Sequence, residues 1–312
     1  MKICILGAGS LGCALGGVLT EAGNDVWLIN RNASLVDALN SNGLTLRDGG
    51  VDRVVRVQAA SSAQAVVSVT GVVDLVVVLV KSFDTGAAMT AAMALLGPKT
   101  HVLSLQNGVG HEEILAELVG RERVIGGKTY AGGTQLGVAH ISIGTRGKET
   151  IIGELDGGVS ERTAQIAALF TAAGLQTTVS NNIMQTIWEK LLVNISTGAL
   201  CAITRLPYGK LYAVPEVEAT ALAAVAEAMA VAKASGVQLT TTDPRQPWLK
   251  AAAGLPPEFK TSMLQSLEKG SVTEVDYING AVVRQGQKYG IPTPVNQVLV
   301  ACIKGIEATL SE

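Results

Sequence analysis

The stretch that decides the fold is KICILGAGSLG, residues 2–12. A short apolar strand leads directly into three glycines in GxGxxG spacing, and a helix is predicted from Ser10 to Ala22. In this context the first glycine allows a tight turn, the second lets a pyrophosphate approach, and the third lets helix and strand pack closely, while the helix N-terminus attracts the phosphates. Purely structural glycines are the alternative, but the strand-turn-helix context favours a dinucleotide site. The predicted cofactor contacts in this stretch are Gly7, Gly9, Ser10, Leu11 and Gly12.

The end of the second strand indicates which dinucleotide is bound. NAD-selective proteins place an acid there to hold the ribose hydroxyls, whereas NADP-selective proteins replace it and add a cation for the 2′-phosphate. This strand ends in LINRN, with Asn30 and Arg31 at the position of the acid. A solvated loop arginine is the alternative, but it gives no reason for the acid to be missing. We therefore expect NADPH as the cofactor, with Arg31 at its 2′-phosphate.

Strand and helix patterns alternate up to about Asn182. The runs that predict strands, the last but one of them hairpin-like, are NDVWLINRN, DLVVVLVK, THVLSLQNG, ERVIGGKTY, AHISIGTRGKETIIGEL and LQTTVSNN. The stretch ERTAQIAALFTAAG predicts a helix. Only helical patterns follow, including one from Pro215 to Gly236 and two or three more after it. The predicted fold class is α/β, with a Rossmann-type doubly wound sheet in residues 1–182 and an all-α domain in residues 183–312, joined near residues 180–186.

Composition excludes several classes of function. The 312 residues have a formal net charge of -2 and no cluster of Lys or Arg, so a nucleic-acid partner is not expected. No apolar run reaches the length of a membrane-spanning helix. The four cysteines lie in apolar contexts without CxxC spacing, which predicts reduced core residues, no metal site and a cytoplasmic location. A small molecule is the expected partner.

Polar residues stand out at two strand ends and on one apolar helix. Lys81 follows the run DLVVVLV, and Asn107 follows LSLQ, at the edge of the sheet where ligands bind. Both can also be ordinary turn residues. In WEKLLVN, residues 188–194, Lys190 and Asn194 are four residues apart and share one helix face among apolar neighbours. A buried ammonium is unfavourable unless it is paired or functional, although Lys190 can also extend along the helix to water.

The last group of candidates lies in TSMLQSLEKGSVTEVDYINGAVV, residues 261–283. Glu274 follows Thr273 at an apparent helix start, so a carboxylate stabilised by the helix dipole is one interpretation. Ser262 can be an ordinary helix or capping serine. Their occurrence together with the other motifs favours a role in a site.

The set of motifs resembles the ketopantoate reductases (2-dehydropantoate 2-reductases), which join a Rossmann domain to a helical substrate domain. The resemblance spans nearly the whole chain and is carried by GAGSLG, Arg31, LVKSFDT, LQNGVG, WEKLLVN and SMLQSLEKGSVTEVDYINGAVV. It implies that Lys190 is the general acid and that Glu274 assists catalysis and binds the substrate hydroxyl. It also implies that the following residues surround substrate and nicotinamide: Lys81, Asn107, Asn194 and Ser262. The reaction implied is reduction of ketopantoate to (R)-pantoate with NADPH, in pantothenate biosynthesis.

Three positions depart from the family pattern. Gly198 stands where the family usually has a substrate-binding asparagine, and Ser266 and Ser271 replace a common acid and a common arginine. Three functions therefore compete: a ketopantoate reductase, a related reductase of another 2-oxo acid, ketone or imine, and a non-catalytic NADP(H) sensor. The joint presence of Lys190 and Glu274 argues against the sensor. The sequence leaves the oligomeric state open, with a homodimer as one option.

Overall fold

A computed structural model describes residues 1–311 and contains two compact units. The first unit comprises Met1–Gln106 and His111–Ile183. The second comprises Asn107–Gly110 and the chain from Met184 onward. The first is an α/β sheet domain and the second is helical, which confirms the predicted fold class.

All strands of the described chain belong to the first unit. They are β1 (Lys2–Leu6), β2 (Asp25–Ile29), β3 (Leu44–Asp48), β4 (Val51–Val55), β5 (Gln58–Ala60), β6 (Val73–Val78), β7 (Leu96–Ser104), β8 (Val124–Thr129), β9 (Gly132–Gly137), β10 (His140–Gly144), β11 (Thr150–Glu154) and β12 (Thr177–Val179). The helices before the second unit are α1 (Ser10–Glu21), α2 (Ala33–Asn42), α3 (Ala63–Thr70), α4 (Thr85–Ala91), α5 (His111–Val119) and α6 (Glu161–Ala172).

Eight strands form one sheet in the order β12-β11-β8-β7-β6-β1-β2-β5. Six consecutive strands of this order are parallel to one another, namely β8, β7, β6, β1, β2 and β5. Strand β11 is antiparallel to β8. The chain builds from β1 towards β5 on one side and then adds β6, β7 and β8 on the other. This reversal next to β1 confirms the doubly wound sheet. Ligands of such sheets bind at the carboxyl ends of the strands beside the reversal, which are here the ends of β1 and β6.

A second, four-stranded sheet has the order β4-β3-β10-β9. The predicted hairpin in residues 139–155 is therefore wrong, because β10 pairs with β9 and β3 in this small sheet while β11 pairs with β8 and β12 in the large one. Helix α1 packs tightly against strands of both sheets. A Cβ added at Gly16 would lie 2.4 Å from Leu28 Cδ2 of β2, and one at Gly17 would lie 2.8 Å from Leu44 Cδ2 of β3.

The second unit contains no strand in its described residues. Its helices are α7 (Ile183–Thr204), α8 (Tyr208–Leu211), α9 (Pro215–Ala234), α10 (Arg245–Ala252), α11 (Ser262–Glu268), α12 (Asn279–Tyr289) and α13 (Pro294–Ala308). Helix α9 begins at Pro215, as predicted, and the chain turns at Gly236 with φ +83°. Four helices follow α9, so the prediction of two or three was too low.

The structure tests the prediction that all four cysteines are core residues. All four cysteines are free thiols, and Cys4, Cys13 and Cys201 are buried as predicted. Cys302 is exposed on α13, so the prediction that every cysteine is a core residue is wrong for this one. Within residues 1–311, every helix is too short or too polar to span a bilayer.

Candidate functional site

The turn between β1 and α1 is a tight glycine turn that leads into an uncapped helix. Gly7 has φ +107°, and a Cβ there would lie 2.5 Å from the backbone nitrogen of Val80, so this glycine is required by the fold itself. Gly9 differs, because its φ is -80° and a Cβ added there would meet no atom within 4 Å. No side chain caps the N-terminus of α1, which begins with Ser10 and Leu11. An uncapped helix N-terminus with an open approach over Gly9 suits an anion.

Asn30 is tied to this turn. Its Nδ2 donates a hydrogen bond to the Ala8 carbonyl at 2.8 Å, and its Oδ1 accepts one from the Asn32 backbone nitrogen at 2.9 Å. The residue at the position of the NAD-selective acid therefore holds the glycine turn in place. Sequence reasoning treated Asn30 as a missing acid and did not predict this role; its position directly after β2 was the available signal.

Arg31 and Lys81 lie at one short 3₁₀ turn, Ser82–Asp84, which follows β6. Arg31 is 84% exposed, and its Nη2 lies 2.8 Å from Asp84 Oδ2. Lys81 directly precedes the turn, is exposed, and its carbonyl accepts a hydrogen bond from the Asp84 backbone nitrogen at 2.8 Å. The Arg31–Asp84 ion pair was not predicted. Arg31 is so exposed that this ion pair contributes little to stability.

In the second unit, the turn that carries Asn107 contacts the segment that carries Glu274. The backbone nitrogen of Val109 donates to the Tyr277 carbonyl at 3.0 Å. Glu274 is half-buried and precedes a 3₁₀ turn, Val275–Tyr277, instead of starting an α-helix. The structure therefore brings the Asn107 and Glu274 segments together.

Helix α7 carries Lys190 and Asn194, both half-buried and one turn apart. The neighbouring Glu189 accepts hydrogen bonds from the backbone nitrogens of Thr240 and Thr241 at 2.6 and 2.9 Å and from both hydroxyls. Burial raises the pKa of Glu189, but these hydrogen bonds outweigh it and lower the pKa below its ordinary value. Glu189 thus anchors the loop before α10 to α7. A cavity of about 200 Å³ beside it is lined by Glu189, Val193, Thr240, Thr241, Gln246, Pro247 and Lys250.

The positions that depart from the family pattern lie near α11. Gly198 is buried two turns after Lys190, and a Cβ there would lie 3.6 Å from Met263 Cε, an ordinary contact. Ser262 is exposed at the start of α11, and its carbonyl accepts a hydrogen bond from Ser266 Oγ at 3.0 Å. Ser271 is exposed in the loop after α11. A longer side chain at position 198 would have to share its space with Met263.

A buried carboxyl group in the first unit was missed by sequence reasoning. Glu112, in the first turn of α5, is 2% exposed, and its Oε2 has no hydrogen-bond partner. Burial, reinforced by the charge of Glu113, raises its pKa to about 8. Glu112 is therefore mostly protonated at neutral pH. Its place in HEEILAEL resembles an ordinary helix start, so its burial could not be read from the local pattern.

Comparison with known proteins places these features in a family. The family model described as ketopantoate reductase PanE/ApbA matches residues 3–157, and the model of the C-terminal part of the same family matches residues 182–307. The chain belongs to the ketopantoate reductase family. Among the described residues, no group of three or more His, Cys, Asp or Glu side chains is arranged to hold a metal ion. As a member of this family, the chain is an NAD(P)-dependent oxidoreductase acting on CH–OH groups.

Similar proteins cover the chain from end to end. The 2-dehydropantoate 2-reductase of Halobacterium salinarum is 34% identical over 97% of this chain and 98% of its own length. The 2-dehydropantoate 2-reductase of Archaeoglobus fulgidus is 33% identical over 99% of both chains. A PanE/ApbA family ketopantoate reductase from Ralstonia eutropha superimposes with a TM-score of 0.90 at 37% identity, over 100% of both chains. A D-mandelate dehydrogenase bound to NADH and anilino(oxo)acetate superimposes with a TM-score of 0.91 at 27% identity, again over 100% of both chains.

Proposed function

We propose that this chain is an NADPH-dependent 2-dehydropantoate 2-reductase, which reduces the ketone of ketopantoate to (R)-pantoate in pantothenate biosynthesis. The observation that carries the proposal is the similarity, at 34% identity over 97% of this chain, to a protein named 2-dehydropantoate 2-reductase. The local geometry of both units is consistent with this chemistry. The first unit has the glycine turn between β1 and α1. The second unit carries Lys190 and Asn194 on α7, and Glu274 on a segment that contacts the turn of Asn107.

The first unit fits NADPH. Gly9 leaves open space beside the uncapped start of α1, which suits the pyrophosphate, and Arg31 is exposed and able to bind the 2′-phosphate. Lys81 and Asn107 are the further cofactor contacts that we propose. When bound, NADPH supplies a hydride to the carbonyl carbon.

The second unit supplies the acid and the substrate contacts. The Lys190 ammonium stabilises the negative charge that develops on the ketone oxygen and donates a proton to that oxygen. Asn194, one turn further along α7, orients the same substrate. Glu274 binds the hydroxyl of ketopantoate, and Ser262 and Asn107 complete the substrate contacts.

Replacing Lys190 tests this proposal. Lys190→Ala should lower kcat by roughly 10²–10⁴-fold, because the ammonium acts on charge that develops only in the transition state. NADPH affinity should stay near that of the wild type. Lys233→Ala, which removes an exposed lysine from α9, is the matched control and should keep full activity. Thermal melts with and without NADPH separate catalytic loss from unfolding. A Lys190→Ala enzyme with near-normal kcat, or one that fails only because it unfolds, would show that Lys190 is structural.

A second substrate class is favoured by the environment of position 198. Gly198 has no side chain to hydrogen-bond a substrate, and the one atom within 4 Å of a Cβ added there is the apolar methyl group of Met263. The chain is also similar in structure to a D-mandelate dehydrogenase, and mandelate is a 2-hydroxy acid with an aromatic ring. An NADPH-oxidation assay with ketopantoate, phenylglyoxylate and aliphatic 2-oxo acids distinguishes the two. A kcat/KM for phenylglyoxylate well above that for ketopantoate would overturn the ketopantoate assignment and retain the reaction type.

A further inference from the structure

The segment Thr273–Tyr277, which carries Glu274, is held by a buried carboxylate on the last helix. Glu307 of α13 is 7% exposed. Its Oε1 accepts hydrogen bonds from the Thr273 backbone nitrogen at 2.6 Å and from Thr273 Oγ1 at 2.7 Å. Both partners belong to the residue directly before Glu274. Hydrogen bonds to a carboxylate are stronger than neutral ones, so this contact fixes the backbone at that point.

The other oxygen of Glu307 links the segment at a second point. Lys304 Nζ lies 3.1 Å from Glu307 Oε2 and 2.5 Å from Asp276 Oδ2. Burial lowers the pKa of Lys304, but the hydrogen bonds to Asp276 and Glu307 outweigh it and raise the pKa above its ordinary value. The Asp276 carbonyl also accepts a hydrogen bond from Arg284 Nη1 at 2.7 Å. The backbone is therefore anchored on both sides of Glu274.

The anchored segment continues to the turn that carries Asn107. Thr273 Oγ1 also accepts a hydrogen bond from the Val275 backbone nitrogen at 3.2 Å, which starts the 3₁₀ turn. At the end of that turn, the Tyr277 carbonyl accepts from Val109. Displacing Thr273 would therefore move Glu274 and loosen the support of the Asn107 turn.

We propose that Glu307 is a positioning residue for the reaction: through Thr273 it sets the place of Glu274 and, through the 3₁₀ turn, that of the Asn107 turn. The inference rests on the proposed function, since it assigns Glu274 and Asn107 to substrate binding. Glu307 itself touches neither substrate nor cofactor and acts only through these two segments. A displacement of about 1 Å at a reacting group can reduce the rate by about 10²-fold, so a loss of this anchor should be visible in the kinetics.

The kinetic test compares two substitutions of Glu307 with a control on the same helix. Glu307→Ala should raise KM for the 2-oxo acid and lower kcat/KM by roughly 10–100-fold. NADPH affinity should fall less, because Asn107 is only one of the proposed cofactor contacts and the others lie in the first unit. Glu307→Gln keeps an acceptor oxygen for Thr273 and should restore most of this loss. Ile303→Val, one turn earlier and fully buried, should lower the melting temperature without changing KM. Thr273→Ser should behave as wild type. Thr273→Val removes the hydroxyl bond to Glu307 but keeps the backbone one, so it should shift KM in the same direction as Glu307→Ala by a smaller factor.

Amide hydrogen exchange provides a readout that does not depend on activity. Glu307→Ala should speed exchange in peptides covering residues 107–110 and 273–277, whereas Ile303→Val should not do so selectively. An active wild type whose Glu307→Ala variant keeps its KM and its exchange pattern overturns the inference alone. A wild type that reduces no 2-oxo acid overturns the proposed function; faster exchange in Glu307→Ala would then still support the anchor, and unchanged exchange would remove it too.

Discussion

Replacing Gly9 by alanine should separate cofactor binding from folding. The backbone at Gly9 has φ -80° and ψ -161°, an extended conformation open to any residue, and nothing in the protein lies within 4 Å of the added Cβ. Alanine should therefore leave the free energy of unfolding within about 0.5 kcal/mol of wild type, or raise it by up to about 1 kcal/mol by restricting the unfolded chain. The melting temperature without cofactor should be equal or slightly higher.

The neighbouring glycine gives the opposite expectation and serves as a comparison. Gly7→Ala would hold an alanine at φ +107°, at a cost of about 1–3 kcal/mol, and would place its Cβ 2.5 Å from the backbone nitrogen of Val80. The overlap involves main-chain atoms that cannot rotate away. Gly7 lies in the first unit, whose size falls in the range of about 150–250 residues for which 1 kcal/mol shifts the melting temperature by roughly 2–4 °C. The melting temperature should therefore fall by several degrees.

The expected loss of affinity in Gly9→Ala follows from the hydrogen bonds that the pyrophosphate makes to backbone amides. A methyl group over the turn should remove one such charge-assisted bond, about 1.5–3 kcal/mol, which weakens NADPH binding roughly 10–150-fold. Titration followed by cofactor fluorescence measures this affinity, and melts at saturating NADPH provide a second measure. Wild-type affinity in Gly9→Ala would refute the placement of the pyrophosphate over Gly9, and a lower melting temperature without cofactor would refute the interpretation of open space there.

Three further outcomes are expected. Arg31→Ala should weaken the binding of NADPH by about 1.5–3 kcal/mol and that of NADH far less. Equal losses of affinity in binding titrations would show that Arg31 does not contact the 2′-phosphate. Glu112 keeps its proton in the folded state up to a pKa of about 8, whereas the unfolded chain releases it near 4.5, so the free energy of unfolding should fall as pH rises between these values. The melting temperature of Glu112→Gln relative to wild type should therefore be higher near pH 8 than at about pH 5. An equal difference at both pH values would contradict the raised pKa. Gly198→Asn should raise the kcat/KM ratio of ketopantoate to phenylglyoxylate, and an equal loss for both would indicate a displaced Met263.

Features set by neighbouring residues were predictable from the sequence. The GAGSLG turn follows β1 and opens α1 because glycine conformations and helix starts depend on local backbone geometry. The same holds for α9, which starts at Pro215. That Lys190 and Asn194 lie on the same face of α7 follows from the helix period alone.

Features set by distant residues were not predictable. The alternating pattern of residues 139–155 suits a hairpin, but pairing with β3 and β8 decides where its two strands lie. Asp84 lies 53 positions after Arg31 in the chain, and no local pattern indicates that they pair. The hydrogen bonds from Thr273 to Glu307 span 34 positions, so a residue near the C-terminus gave no sign of contact with the Glu274 segment.

The small sheet has a consequence for synthesis on the ribosome. Residue 45 of β3 pairs with residue 140 of β10, so about 95 residues must be added after β3 before its partner strand exists, which takes roughly 5–20 s at ~5–20 residues per second. Until then a hairpin of β3 and β4 has two open backbone edges, of which β10 later covers the one on β3, and Leu44 and Leu46, fully buried in the finished protein, lack part of their cover. The open edge of β3 can pair with another nascent chain. A chaperone that covers it during this interval would protect the chain from aggregation until β10 emerges.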